Sequence, residues 1–370
     1  MGKSKDLAEL AGVTSRLDTL GASSGSLGNR NAITNGGMTI DQRNSGSATT
    51  PSTDRTYTLD RWLARMSSGS KYSVQQVADA PSGYYNSLKV TSLAATTVGS
   101  TDYYQINTPL EGYNVTRFDL GLSTAKKLTL SFWVKSSLTG TFGGAYSNNA
   151  GNRFYAWTYT ISSANTWEHK TVTVDGVTDG SWERTNGAGL WVYWTLGAGS
   201  GITATAGAWG TTFKRGPTGA TNVVATNAAT WQITGCQLEV GSGSTDFEEE
   251  LPGVTLNKCE RYFQTYSKRN WQGTNEHVAN YYMYCDGVFR QKMRAAPTAT
   301  FVGTITIGRP QVGVTQRPNE ISGLSSQGFL GFKWPTSGTY GGQLGTHGDS
   351  YYRMYVGDGP TNRIDFDAEL

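Results

Sequence analysis

Cysteine and long apolar runs are scarce in this chain of 370 residues. Its three cysteines, Cys236, Cys259 and Cys285, are odd in number, lie far apart and form no CxxC pair. They therefore predict reduced, buried thiols rather than a disulfide framework or a zinc site. No apolar run of about 18 residues is present, which predicts no membrane insertion. The N-terminus has no apolar core followed by a cleavage site, so we expect no export by a signal peptide.

Charge and catalytic residue types are scarce as well. Charged residues make up 16% of the chain and the net charge is +3, too small and too dispersed for a nucleic-acid interface. The sequence contains no GxSxG elbow, Walker loop or HExxH motif, and we interpret His169 as a surface or cross-strand residue. Paired carboxylates of a glycosidase remain the one catalytic alternative, with these candidates: Asp41, Asp60, Asp246, Glu248, Glu249 and Glu250. We predict that the protein is not an enzyme.

Glycine and aromatic residues are abundant instead, with 47 Gly, 20 Tyr and 11 Trp. This composition is typical of an all-β protein with many turns. The segment Leu128–Ser137, LTLSFWVKSS, alternates aliphatic and polar residues with a period of two. Its aliphatic face carries Leu128, Leu130, Phe132 and Val134, which predicts a half-buried central strand of an antiparallel sandwich.

Further strand-sized segments follow at intervals of about ten residues, separated by turn signals. We predict strands at 72–76, 87–91, 103–107, 153–161, 168–174, 189–196 and 228–240, and a short one at Met38–Ile40. Their spacing predicts an antiparallel jelly-roll sandwich over residues 32–252. A smaller β domain is predicted over residues 253–370, with strands at 279–284, 299–307, 328–334 and 351–356.

One helix is predicted, over Lys5–Leu20, followed by a Gly- and Ser-rich linker up to residue 31. An apolar seam at 3-4-3 spacing runs along it: Leu10, Val13, Leu17 and Leu20. A helix this short is marginal alone in water, so the seam must be buried. It docks either on its own chain or on copies of itself or a partner, and we favour the second.

Several segments taken in order resemble tail-fibre and related virion proteins of tailed bacteriophages, particularly marine and cyanobacterial phages. They are MTIDQRNSG (38–46), YTLDRW (57–62), SLKVT (87–91), LTLSFWVKSSLTGTFG (128–143), YTISSANTWEHKTVTVDG (159–176), ITGCQLEVGSGSTDFE (233–248) and CERYFQTY (259–266). The likeness covers roughly residues 30–266. The central part is also similar to jelly-roll carbohydrate-binding modules.

This resemblance implies a structural protein of the phage particle, made in the host cytoplasm, and commonly a homotrimer. We expect a tail-fibre or spike subunit in host adsorption, attached to other virion proteins through its N-terminus. The alternatives are a capsid-bound decoration protein without a receptor role and a glycan-degrading depolymerase. The analogy with jelly-roll modules also allows a structural Ca²⁺ ion held by loop carboxylates and carbonyls, at positions that the sequence does not define.

Aromatic residues on the strands are the candidate binding residues. Trp133 lies opposite the aliphatic face of its strand, and alternation places Trp191 and Tyr193 together on one face of GLWVYWTL. Trp and Tyr suit the apolar faces of sugars, which predicts a platform for a host surface glycan. The same residue types are enriched at subunit interfaces, and we favour the interface for most of them.

Overall fold

The computed structural model describes residues 28–267, 270–275, 282–303, 305–309, 312–314, 320–322, 324–333, 351–356 and 362–370. In these ranges the chain is almost entirely β-structure, which confirms the predicted fold class. It divides into two compact units, Met1–Thr255 and Leu256–Leu370. The predicted helix with Leu10, Val13, Leu17 and Leu20 lies outside the described residues.

The first unit is a sandwich of two antiparallel sheets. Its strands are β1 (Thr56–Tyr57), β2 (Leu63–Met66), β3 (Tyr72–Val77), β4 (Ser87–Ser92), β5 (Tyr103–Glu111), β6 (Leu128–Ser136), β7 (Gly140–Ser147), β8 (Phe154–Ile161), β9 (Glu168–Val174), β10 (Ala188–Ala198), β11 (Thr203–Ala204), β12 (Trp209–Gly210), β13 (Gly216–Pro217) and β14 (Thr230–Val240). One sheet has the order β1-β2-β5-β10-β7-β8-β12, and the other has the order β3-β4-β14-β6-β9. Strands β11 and β13 form a separate parallel pair.

Short helical turns connect some of the strands in this unit. An α-helical turn covers Gly112–Val115, and 3₁₀ turns cover Thr116–Phe118, Ser200–Ile202 and Val223–Ala225. No helix among the described residues is long and apolar enough to cross a membrane.

Strand β6 turns its four aliphatic and aromatic residues into the core, as predicted, and all four are fully buried. Thr129 and Ser131 on the opposite face are buried as well, so the strand is less exposed than the predicted half-buried strand. It is an interior strand between β14 and β9, although β14, and not β6, takes the middle position of the five. Across the core, the Phe132 ring meets Trp194 of β10 edge-on at 5.8 Å and Tyr159 of β8 edge-on at 5.1 Å between centroids. These contacts hold the two sheets face to face.

Several local predictions were wrong or incomplete. The predicted strand 299–307 is two strands, Thr298–Val302 and Ile305–Arg309, which belong to different sheets. Met38–Ile40 forms no strand, because Asn35 occupies its backbone groups: the Asn35 amide accepts from the Ile40 N–H at 3.0 Å and donates to its carbonyl at 2.9 Å. Strand β7 was missed because its GTFGGAYS sequence is rich in glycine, which weakens the strand signal. The structure requires glycine there, since a Cβ on Gly144 would lie 1.9 Å from the Tyr193 carbonyl oxygen.

The second unit is also built from antiparallel strands. They are β15 (Phe263–Tyr266), β16 (Asn270–Asn275), β17 (Tyr282–Val288), β18 (Thr298–Val302), β19 (Ile305–Arg309), β20 (Val312–Val314), β21 (Glu320–Ser322), β22 (Gly328–Lys333), β23 (Tyr351–Val356) and β24 (Arg363–Asp367). They form sheets of order β15-β24-β18 and β20-β19-β23-β16-β17-β22-β21. Phe366 lies at its core, with the rings of Phe289 and Phe329 at 4.8 and 5.6 Å.

A helix over Pro252–Glu260 was not predicted. Its apolar residues show little helical periodicity, so their spacing in the sequence did not indicate a helix. Proline is favoured at the first position of a helix, where its missing N–H costs nothing, and Pro252 stands there. Cys236 and Cys259 are buried and form no disulfide, whereas the side chain of Cys285 lies outside the described residues.

Candidate functional site

The outer face of the five-stranded sheet carries a half-buried tryptophan, Trp133 of β6. Register pairs it with Thr234 of β14 and with His169 of β9, so the three side chains share this face. The Trp133 and His169 ring centroids lie 5.3 Å apart. Burial, and then the charge of Lys170, lowers the pKa of His169. The imidazole beside Trp133 is therefore held neutral over more of the pH range than a free histidine.

A second ring, that of Tyr84, lies on the same face above an irregularity in β14. The ladder between β14 and β6 shifts register between Thr234 and Gln237, and Gly235 within this bulge has a φ of +61°. A Cβ on Gly235 would come within 2.8 Å of the Tyr84 ring and hydroxyl. Burial is the main cause that raises the pKa of Tyr84 to about 12. Trp133 and Tyr84 therefore form an aromatic pair on this face of the sheet.

A polar group of side chains flanks this pair on one side. Asp79 binds the Lys135 ammonium and accepts from the Gln232 amide at 3.3 Å. The Lys135 ammonium lies 4.9 Å from the centre of the Trp167 ring. Hydrogen bonding by Lys135 is the main cause that lowers the pKa of Asp79, so this carboxylate stays ionised and accepts hydrogen bonds at neutral pH.

On the other side of the pair lies a cleft, bounded by residues 31–39, 83–85 and 247–255. The Phe247 ring stands 5.4 Å from the Tyr84 ring and forms part of its wall. Tyr85 is 82% exposed at its rim. Glu248 holds the opposite wall in place, since its carboxylate accepts from the backbone N–H groups of Asn29 and Asn31.

We call this continuous area the sheet-face site; it consists of Tyr84, Tyr85, Trp133, Trp167 and Phe247 with the polar group around Asp79. Its chemistry combines flat apolar rings with hydrogen-bonding amides and carboxylates. That combination can hold a ligand with apolar C–H faces and a polar rim.

The structure places the sequence-predicted residues on both sheets. Trp133 belongs to the sheet-face site, whereas Trp191 and Tyr193 lie on the outer face of β10 in the seven-stranded sheet. Their rings stack at 6.2 Å, as strand alternation predicted. They are only 4% and 3% exposed, because Arg55 lies over Trp191 and Phe213 packs against Tyr193. The expectation of an open platform at these two rings is therefore corrected: their own chain covers them.

Four residues of the sheet-face site were not found from the sequence: Tyr84, Tyr85, Trp167 and Phe247. All lie in connections outside the strands, where no periodicity points to a face. A weak signal was present in Gly83-Tyr84-Tyr85-Asn86, since two aromatic residues in a turn have little reason to be there for packing alone.

Two of the six candidate catalytic carboxylates, Asp60 and Asp41, form hydrogen bonds with loop residues of their own chain. Asp60 is buried and accepts from the Gln42 backbone and side chain at 2.7 Å each, with Arg43 at 3.8 Å. Asp41 accepts from the N–H groups of Asn44 and Gly46. Within the described ranges no group of three or more His, Cys, Asp or Glu residues could hold a metal ion. The Ca²⁺ ion stays a prediction without a location.

Comparisons with known proteins give fold-level likenesses only. No protein-family model and no curated protein matches the chain. Among solved structures, the enzymatically active domain of bacteriophage CBA120 tailspike protein 4 is 12% identical, with a TM-score of 0.31, over 57% of this chain and 22% of that one. The chain thus matches about a fifth of the tailspike chain.

Two sugar-related structures are similar at the same level. A putative sugar binding protein from Bacteroides thetaiotaomicron is 12% identical, with a TM-score of 0.33, over 57% of this chain and 100% of that one. TmCBM61 in complex with β-1,4-galactotriose is 10% identical, with a TM-score of 0.28, over 57% and 99%.

Proposed function

We propose that this protein is a structural component of a tailed-phage virion, a tail-fibre or spike subunit, and that it binds a host surface glycan through the sheet-face site. The observation that carries the binding proposal is the pair of aromatic side chains Trp133 and Tyr84 on one face of the five-stranded sheet, of which Tyr84 lines a cleft at whose rim Tyr85 is exposed. The virion role is supported by the ordered series of segments that resembles phage fibre proteins over roughly residues 30–266.

The chemistry of the site favours a saccharide over other ligands. Sugars present apolar C–H faces that stack on aromatic rings, and hydroxyls that pair with amides and carboxylates. Asp79 supplies such a carboxylate beside Trp167, and Asn31 lines the cleft. The cleft also carries Glu248 and Glu249, whose negative charges disfavour the phosphates of a nucleic acid.

Glycan binding is tested with Trp133→Ala and Tyr85→Ala variants of the full chain, titrated calorimetrically with polysaccharide purified from the host envelope. We expect each to weaken binding about tenfold or more, because truncating a central aromatic side chain costs about 2 kcal/mol at a binding hot spot. Tyr113→Ala is the matched control, since Tyr113 is 61% exposed and lies outside the site. Equal affinity in all four proteins would refute the binding proposal.

The proposal includes the absence of catalysis. Incubating the protein with the same polysaccharide should release no new reducing ends over hours. Release of reducing ends that disappears when one of the six candidate carboxylates is replaced would instead assign the protein to the depolymerases.

The capsid-bound decoration protein is the remaining alternative. Gold labelling of the protein on intact particles distinguishes it, because a decoration protein would lie on the capsid and a fibre on the tail.

Attachment through the N-terminus is a separate part of the proposal, motivated by the Leu10-Val13-Leu17-Leu20 seam. Deleting residues 1–25 should leave a folded protein that no longer joins the particle. Light scattering on the full chain and on this deletion tests the trimer: a trimer in both places the assembly contacts in the β units. Normal incorporation of the truncated chain into particles would contradict the tether.

A further inference from the structure

A second polar cluster lies on the outer face of the other, seven-stranded sheet. Arg65 of β2 pairs with Gln105 of β5, and Asn107, two residues along β5, pairs with Tyr193 of β10. Side chains of directly paired residues lie on the same face of a sheet, and next-but-one residues of a strand share it. The four side chains are therefore neighbours on one surface.

The segment between β12 and β13 adds a second arginine to this surface. Arg215 lies with its guanidinium carbon 3.9 Å from the centre of the Tyr103 ring and 4.7 Å from that of Phe213. Its Nη1 is 3.5 Å from the Gln105 side-chain oxygen. The Arg215 carbonyl accepts from the Thr195 hydroxyl at 2.8 Å, which fixes this segment on β10.

Positive charge is in excess here. Arg65 donates from Nε to Asp54 at 2.8 Å, and the same carboxylate is the acidic group that acts on Arg215. Arg65 thus forms an ion pair with this carboxylate, whereas Arg215 is influenced by it only from a distance. Burial, and then the charge of Arg65, lowers the pKa of Arg215. An additional anion would relieve the repulsion between the two arginines.

Asn107 provides independent support for a ligand. Its side chain is fully buried, yet neither its amide nitrogen nor its amide oxygen has a hydrogen-bond partner in the described part of the chain. Buried amides are nearly always paired, because an unpaired one loses its hydration without compensation. A position that keeps one donor and one acceptor free beside two arginines suits a ligand that offers both groups.

We propose that this cluster, which we call the arginine site, binds the carboxylate of an acidic sugar, with Arg65 and Arg215 on the carboxylate and the Asn107 amide on a hydroxyl group of the same sugar. Guanidinium groups bind carboxylates through paired, charge-assisted hydrogen bonds. The inference of a carboxylate rests on the two arginines, whereas the inference that a sugar bears this carboxylate rests on the proposed function. The arginine site and the sheet-face site lie on different sheets.

The test is a calorimetric titration of the full chain with galacturonate, galactose and acetate. Galacturonate should bind, galactose should bind at least about tenfold more weakly, and binding should weaken with added salt. A folded protein that binds galactose as tightly as galacturonate, or binds neither, would overturn the proposal. If acetate binds as tightly as galacturonate, the inference that the carboxylate belongs to a sugar is wrong.

Two variants separate binding from structural support. Arg215→Gln should weaken galacturonate binding about tenfold or more, whereas Arg153→Gln, the same change at the Asp179 ion pair, should not alter it. Asn107→Leu replaces an unpaired buried amide by an apolar side chain of similar size, so we expect an unchanged or higher Tm together with weaker binding. Wild-type affinity in folded Arg215→Gln and Asn107→Leu would assign these residues to packing alone.

The two proposals fail independently. Loss of polysaccharide binding in Trp133→Ala concerns the sheet-face site, and loss of galacturonate binding in Arg215→Gln concerns the arginine site. A protein that binds a neutral host glycan but no galacturonate would keep the proposed function and refute this inference.

Discussion

The ring of Tyr84 rests on the bare Cα of Gly235. The glycine stands in the β14 bulge with a φ of +61°, and any Cβ there would come within 2.8 Å of the phenol. A bulge that gives a glycine this conformation thus makes room for an aromatic ring above the sheet. The position of Tyr84 beside Trp133 follows from this contact.

Gly235→Ala should destabilise the first unit and also weaken glycan binding. The left-handed backbone costs a non-glycine residue about 1–2 kcal/mol, and the clash with Tyr84 adds to this. Gly219→Ala is the matched control, since Gly219 has a φ of +80° but nothing within 4 Å of the added carbon. Urea unfolding should therefore show a larger loss for Gly235→Ala, and only that variant should lose affinity. Equal losses of unfolding free energy in the two variants would mean that backbone strain alone destabilises Gly235→Ala and that the contact with Tyr84 contributes nothing.

His169 should titrate below its usual value of about 6.5. Its folded-state pKa is lowered, so the unfolded chain takes up the proton first as the pH falls. The neutral histidine therefore stabilises the fold fully above pH 6.5, and this contribution is lost as the pH drops from 6.5 toward the folded-state pKa. NMR of the imidazole protons measures the midpoint directly. Lys170→Met should raise the midpoint and Lys89→Met, elsewhere on the sheet, should not; a wild-type midpoint above 6.5 would contradict the expectation.

Phe132→Ala should cost about 3–5 kcal/mol of unfolding free energy. The side chain is fully buried and contacts the rings of Trp157, Tyr159 and Trp194, which are too constrained by one another to fill the space. Thr160→Ala, at an exposed position of β8, should cost less than about 1 kcal/mol. Denaturant melts followed by tryptophan fluorescence compare the two. A cost for Phe132→Ala below that of Thr160→Ala would argue against a tightly packed sandwich core.

Asn35→Ala should destabilise the first unit by about 2 kcal/mol, because it leaves partly buried backbone groups of Ile40 and the buried carbonyl of Asp60 without their partners. Asn165→Ala removes an asparagine with the same left-handed backbone, φ +57° against +59°, at an exposed turn. Comparing their unfolding midpoints isolates the hydrogen bonds from the backbone conformation. Equal shifts would show that the Asn35 amide contributes nothing of its own.

Strand patterning was sufficient for the sandwich and for part of the site. The alternation in LTLSFWVKSS placed Trp133 outside and Phe132 inside, and that in GLWVYWTL put Trp191 and Tyr193 together, because both follow from the geometry of a single strand. Whether an outward ring is open depends on distant segments. Phe213 covers Tyr193 from a connection some twenty residues further along the chain, and local periodicity carries no information about such coverage.

The same limit applies to the residues that were missed. Tyr84 owes its place to Gly235, about 150 residues away in sequence, and the two meet only because β4 and β14 are neighbours in the sheet. Asn107 looks like an ordinary polar strand residue, and only its burial without a partner distinguishes it.

The two sheets of the first unit turn their outer faces in opposite directions, and each carries one of the two proposed sites. Two neighbouring sugar chains can therefore bind one protein, one chain on each face. Each copy of the protein would then cross-link two polysaccharide chains. Several copies on one particle would bind a host capsule by avidity, even if each single contact dissociated quickly. At low protein concentrations, such a protein should raise the viscosity of an acidic polysaccharide solution. The substitution Trp133→Ala on one face or Arg215→Gln on the other should abolish that effect.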